Sequence, residues 1–286
     1  MPRRVAVVTD STSDVPAELV ARFDLIVVPT FVTIGAETGR EGVDVTATDV
    51  ATALRTGRGK VTTSRATPHS LSEAYRAAFS QGAEAVVSIH LSAALSGTYE
   101  AALLAAATAG GPVTVVDSRS IAMGLGSAVL EAATVARSGG SAEQVAAAAL
   151  DAVTRTTLLF YVDTLEHLRR GGRISAAAAL IGTTLSVKPI LHLVDGQIVI
   201  AERVRTSQRA LARLEEIAVE AAGTNGADLV VQHLAAPERA EALRGRLFDR
   251  IPKLGRVLTS EIGPTVGAHV GPGLVGVAVT RGIGTL

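Results

Sequence analysis

The sequence predicts an α/β fold in two parts. The first half carries a mainly parallel sheet. The second half is α+β with a mixed sheet. Three observations lead there. Short apolar runs alternate with helical patterns through the first half, which is the signature of parallel strands joined by helical crossovers. Further on, two strand patterns flank Asp195-Gly196, a strong two-residue hairpin signal. The chain has 286 residues, 48% of them hydrophobic and 19% charged, which suits two packed domains and argues against disorder. The expected division is a contiguous one, residues 1–157 and 158–286.

The elements follow in order. Val5–Val8 is apolar and reads as a strand, followed by a polar loop, Thr9–Asp14. Ser13 or Asp14 would cap a helix running from Pro16 to Phe23, with proline in its first turn. Leu25–Ile34 is rich in β-branched residues and predicts one strand. Thr48–Thr56 predicts a short helix, Thr62–Thr67 a hydroxyl-rich loop, and Pro68–Ser80 a helix. Ala83–Ile89 is a buried-type strand, His90–Leu95 a loop, and Ser96-Gly97-Thr98 opens an alanine-rich helix to about Ala109. Val113–Val116 is a strand, Asp117–Ser120 a polar loop, and helices follow at Ile121–Arg137 and Ala142–Arg155. In the second half, Leu158–Val162 is a strand, Thr164–Arg170 a helix stopped by Gly171-Gly172, and Ile174–Leu180 helical. The hairpin pairs Val187–Leu193 with Gln197–Arg203. A helix at Gln208–Ala222, a strand at Leu229–His233, a helix at Pro237–Phe248 and a strand at Leu274–Thr280 complete the chain.

Composition narrows the function. Lys+Arg and Asp+Glu are 27 each, so the basic excess of a nucleic-acid binder is missing. There is no cysteine, hence no disulfide, thiolate zinc site or thiol nucleophile. No apolar run reaches the length of a membrane span, and the start lacks the pattern of a signal peptide. These features predict a cytoplasmic protein.

Ligands of open α/β sheets sit beyond the carboxyl ends of the strands. Four first-half loops leave such ends: Thr9–Asp14, Thr62–Thr67, His90–Thr98 and Asp117–Ser120. Serine and threonine dominate them. Hydroxyls and free helix N–H groups together suit an anionic group, phosphate or carboxylate. The same residues also serve as ordinary caps and turns. The dinucleotide fingerprint, the P-loop and the nucleophile elbow are absent. The six histidines, His69, His90, His167, His192, His233 and His269, show no metal-site spacing, and no metal or cofactor is expected. A basic cluster at Arg169, Arg170 and Arg173, with Arg203 and Arg205, fits either solvated element ends or a bound anion. Glu261–Gly273 packs four glycines and two prolines around one histidine, which predicts a shaped loop presenting His269.

Together these motifs resemble the DegV family, the fatty-acid-binding proteins that serve bacterial fatty acid kinases. The likeness runs from about Val5 to Thr280. It rests on Val8-Thr9-Asp10-Ser11-Thr12-Ser13-Asp14, Val61-Thr62-Thr63-Ser64, Ser88–Tyr99 with its Leu95-Ser96-Gly97-Thr98, and Val116-Asp117-Ser118. It continues through Gly171-Gly172-Arg173-Ile174-Ser175, Lys188-Pro189-Ile190, Val204-Arg205-Thr206 and Gly267–Gly273. The resemblance implies a two-domain protein with an acyl chain buried between the domains and the carboxylate held by Thr63 and Ser96. Arg173 and His269 would supply charge and orientation. Ser64, Gly97 and Thr98 complete the implied ligand-binding set, and Arg205 falls where the family docks its kinase. The chain departs from the family at one loop: Thr-Ser-Gln-Pro is Thr63-Ser64-Arg65-Ala66 here.

The expected function is therefore a non-catalytic carrier. It would bury a long-chain fatty acid and present the carboxylate to a fatty acid kinase for acyl-phosphate formation in phospholipid metabolism. Two rivals stand beside it. One is a binding module for a phosphorylated small metabolite. The other is a serine acyl hydrolase with Ser96 as nucleophile and His90 or His269 as base.

Overall fold

The computed structural model describes residues 5–174 and 187–284. Its strands are β1 (Val5–Asp10), β2 (Ile26–Val28), β3 (Phe31–Ile34), β4 (Glu37–Arg40), β5 (Val61–Ser64), β6 (Ala85–His90) and β7 (Val113–Asp117). They continue with β8 (Thr156–Tyr161), β9 (Lys188–Val194), β10 (Gln197–Val204), β11 (Ala227–His233), β12 (Leu254–Glu261) and β13 (Val275–Arg281). The contacts divide the chain into two units. The first holds residues 5–31 and 64–154, and the second holds residues 32–63 with the described residues from 155 to 284.

The first unit is built on a parallel sheet in the order β2-β1-β6-β7. Its strands are apolar almost throughout, as strands covered on both faces must be. The helices Pro68–Ser80 and Thr98–Ala106 pack on it through Leu71, Tyr75, Ala78, Ala101, Ala102 and Ala105, all buried. Alanines at four of these positions let the backbones approach closely. The helix Ala122–Arg137 passes Gly126 so close to the turn after β1 that a Cβ there would meet the Ser13 carbonyl oxygen at 2.5 Å.

The second unit carries a mixed sheet in the order β10-β9-β8-β13-β11-β12. Only β11 and β12 run parallel within it. Leu214, Ala218, Leu243 and Leu247, from the helices Ser207–Ala222 and Pro237–Arg250, pack on Leu229, Val231 and Val277 of the sheet. The hairpin turns at Asp195 and Gly196, whose φ values of 48° and 78° are the left-handed pair a tight turn demands.

Several expectations need correcting. The first unit is not contiguous: residues 32–63 leave it and join the second, because Val32 and Val50 share a small core with Ala268. Leu25–Ile34 is two strands, broken at Pro29-Thr30, where proline lacks the donor a ladder needs. Thr30 turns inward instead, its N–H donating to the Ser11 Oγ at 3.0 Å. Thr9 and Asp10 lie inside β1, and neither Ser13 nor Asp14 caps the next helix, whose cap residue is Pro16 with no side-chain bond. Part of the Thr62–Thr67 loop is β5. The glycine-rich segment read as a loop contains a helix, Pro264–Val270. Proline opens it, Gly263 precedes it and Gly271, at φ 78°, ends it, so the glycines punctuate a helix. The helix expected at Ile174–Leu180 lies outside the described residues, apart from Ile174. Among the described residues, no helix is long and apolar enough to cross a membrane and no cluster of His, Asp and Glu could hold a metal ion.

Candidate functional site

The second unit holds a pocket of about 240 Å³. Lys60, Thr63, His167, Arg170, Arg173 and His269 line it. Its centre is a hydrogen bond of 2.8 Å between the Thr63 hydroxyl and Nε2 of His269. The two residues are far apart in sequence, and local structure brings each to the meeting point. Thr63 is on β5. His269 is in the last turn of the helix Pro264–Val270.

That short helix is anchored in three ways. Glu41, only 4% exposed, accepts the Thr265 N–H at 2.8 Å in the first turn, where a carboxylate meets the positive end of the helix dipole. Gly267 lets the helix lie against Leu234, which a Cβ would meet at 3.1 Å. Gly171 makes room for the imidazole itself: a Cβ there would collide with Nδ1 of His269 and meet Cε1 at 2.9 Å. Gly171 ends the helix Glu166–Gly171, and Gly172 turns the chain back at φ 69° so that Arg173 follows at the pocket. The Arg173 guanidinium donates to the Gly171 carbonyl.

Burial, with the neighbouring Arg173 guanidinium as the second cause, pushes the His269 imidazole down to about 4. His269 is therefore neutral at physiological pH. The charge expected of it comes instead from Arg173, with Lys60 and Arg170 on the same wall. Arg170 also pairs with Glu166, an exposed pair worth little in water. A neutral imidazole carries one donor and one acceptor nitrogen. With the proton on Nε2 it donates to Thr63, and the Thr63 hydroxyl proton is free for an anionic oxygen.

The first unit holds the other expected site residues, Ser64, Ser96, Gly97 and Thr98. Ser96 accepts from the Thr98 N–H at 3.3 Å, and its hydroxyl lies 3.1 Å from that of Thr98. The cap residue of the helix Thr98–Ala106 is Gly97, with no side-chain cap bond, so Ser96 closes a turn just ahead of the helix and pairs two hydroxyls there. Arg65 lies over this turn: a Cβ on Gly97 would collide with its Nη1 and meet its Cδ at 3.2 Å. Ser64 is exposed at the end of β5. Arg205, of the second unit, is exposed just past β10.

His90 has a different role from the one a hydrolase would give it. It is fully buried. Its Nδ1 is 2.9 Å from Asp10 Oδ2 and its Nε2 is 2.7 Å from Ser88 Oγ. The Tyr75 hydroxyl donates to Ser88 at 2.9 Å, so a chain of hydrogen bonds links Tyr75, Ser88, His90 and Asp10. Asp10 also accepts the N–H groups of Thr12 and Leu91. Both ring nitrogens of His90 are engaged in this network, which ties β1 to the loop that leads to Ser96.

Comparison with known proteins decides the relationship. The model of the DegV family, described as an uncharacterised protein family, matches residues 4–281. This chain belongs to the DegV family. A DegV domain-containing protein of Streptomyces coelicolor is 49% identical over 280 residues, 98% of this chain and 99% of its own. A DegV family protein from Thermus thermophilus, described by its fatty acid binding, superposes with a TM-score of 0.92 at 34% identity, over 97% of this chain and 99% of that one. DegV from Bacillus subtilis, described as a fatty acid binding protein, gives 0.89 at 31% identity, over 98% of this chain and 100% of that one. The mixed α/β architecture of this DegV protein is the one these relatives share.

Sequence reasoning missed Lys60, Glu41 and the space-making role of Gly171. Lys60 lies just before β5, in a segment that carries no motif. Glu41 acts on a residue 224 positions away, which no local pattern reveals. Gly171 reads as a helix stop and as part of the Gly171–Ser175 motif, and neither reading carries the space it leaves for the imidazole.

Proposed function

We propose that this protein is a non-catalytic fatty acid carrier that holds the carboxylate for a separate kinase, which would make the acyl-phosphate. The observation that carries it is the Thr63–His269 hydrogen bond beside Arg173 in a small cationic pocket. A neutral donor and a fixed cation suit an anion that must be held without reacting. The volume of about 240 Å³ is below that of pockets that enclose drug-sized ligands, and it matches a head group. The described binding of fatty acid by the Thermus and Bacillus relatives supports the same assignment. Burial of the tail contributes about 0.8 kcal/mol per CH₂, so the acyl chain supplies most of the affinity and the head group the orientation. Ser96, with Ser64, Gly97 and Thr98, is assigned to the carboxylate, and the exposed Arg205 to the kinase, in the cytoplasm.

The test is retention of lipid by the full chain. The Thr63→Ala, Ser96→Ala double variant should lose its fatty acid while keeping its fold. Unchanged retention in a folded double variant overturns the assignment.

The cationic lining also favours a second function, binding of a phosphorylated metabolite. Displacement by phosphate monoesters and not by fatty acids distinguishes it. The hydrolase rival has no such support: His90 is committed to Asp10 and Ser88, and Ser96 to Thr98.

A further inference from the structure

Gly97 has an ordinary backbone, φ −77° and ψ 18°, which any residue adopts. Its glycine is therefore not required by conformation. Space explains it: a Cβ would collide with Nη1 of Arg65 and meet Cδ at 3.2 Å and Cζ at 3.4 Å. The end of the Arg65 side chain occupies the space beside Gly97, between Ser96 and Thr98 in the chain. Several arginines of the second unit have acidic partners: Arg40 has Asp44, Arg213 has Glu202, Glu216 and Glu220, and Arg246 and Arg250 share Glu215. Arg65 forms no salt bridge with any described residue. It is a cation with a fork of donors beside the glycine that joins Ser96 to Thr98.

We propose that Arg65 is a specificity-determining residue that gives the Ser96–Thr98 turn its preference for an ionised head group over a neutral one. The inference rests on the carrier function proposed above and adds a residue to it. A guanidinium presents a rigid set of N–H groups suited to a carboxylate, and it desolvates more readily than an ammonium. Ser96 and Thr98 alone, as neutral donors, would serve an alcohol almost as well as a carboxylate. Arg65 is exposed, so its field is screened by salt.

The experiment titrates delipidated full-length protein with a fatty acid and with the alcohol of the same chain length, at low and high salt. The wild type should prefer the acid. Arg65→Gln removes the charge at similar length and should lower affinity for the acid roughly tenfold, leaving the alcohol unchanged. The difference should shrink at high salt. Gly97→Ala pushes the guanidinium aside without removing it. It should weaken acid binding in the wild type and have less effect when Arg65→Gln is already present, a coupling expected only of groups in contact. An acid-to-alcohol ratio unmoved by Arg65→Gln overturns the role of Arg65 while leaving the carrier function standing. Failure of the wild type to bind either ligand overturns the carrier function and this inference together.

Discussion

The Thr63–His269 hydrogen bond depends on a ring that stays uncharged near a guanidinium. Burial first, and Arg173 second, hold His269 down to about 4, against an ordinary value of about 6.5 in the unfolded chain. Between these values the unfolded chain binds a proton that the folded one refuses. Stability is then complete above about pH 6.5 and falls as the pH drops toward 4. His167, His192 and His233 are lowered by burial in the same direction and add to the slope. Denaturant midpoints measured from pH 7 to pH 4 should therefore decline, and less steeply in His269→Gln. Equal slopes in the two proteins would mean that the ring is not held neutral. At this scale the sequence was informative about residue types. It singled out Thr63, Ser96, Arg173 and His269, yet it gave His269 a charge, because neither the burial of a side chain nor its distance from Arg173 has a local signature.

Elements set where these side chains meet. The helix Pro264–Val270 is short, and isolated helices of such length are unstable in water, so its position depends on outside anchors. Glu41 and Gly171 are two of them. Gly171→Ala should force the imidazole to move and destabilise the protein by about 1–3 kcal/mol, as overpacking does. The same change should cost much less in a His269→Ala background, where the ring is gone; urea unfolding of the four proteins in this cycle measures it. Equal costs in both backgrounds would remove His269 as the reason for the glycine. Regular elements were the most legible part of the fold. Pro68–Ser80 and Ala142–Arg155 have the bounds their periodicity predicts, and Asp195-Gly196 marks the hairpin. Glu37–Arg40 and Leu254–Glu261 went unseen because both are half-exposed edge strands, rich in charged and hydroxyl residues. The helix of His269 was hidden by its own glycines and prolines, which mark loops as well as helix ends.

For the whole molecule, the succession of strands and helices was enough to predict a parallel sheet followed by a mixed one. The assignment of residues 32–63 was not accessible that way. It is decided by a small core joining Val32 and Val50 to Ala268, more than two hundred positions on, and a linear reading has no means of closing such a loop. The same segment supplies Thr63 and Lys60 to the pocket, so the break in the first unit and the make-up of the site have one cause.

Carriage of a fatty acid is a property of the intact chain and is best read from it directly. Native mass spectrometry of the full-length protein as purified, followed by extraction of any bound lipid, measures it in one step. The account predicts a one-to-one adduct with the mass of a long-chain fatty acid, missing from the Thr63→Ala, Ser96→Ala double variant. Protein that emerges without lipid, and takes up neither added oleate nor palmitate, would contradict it.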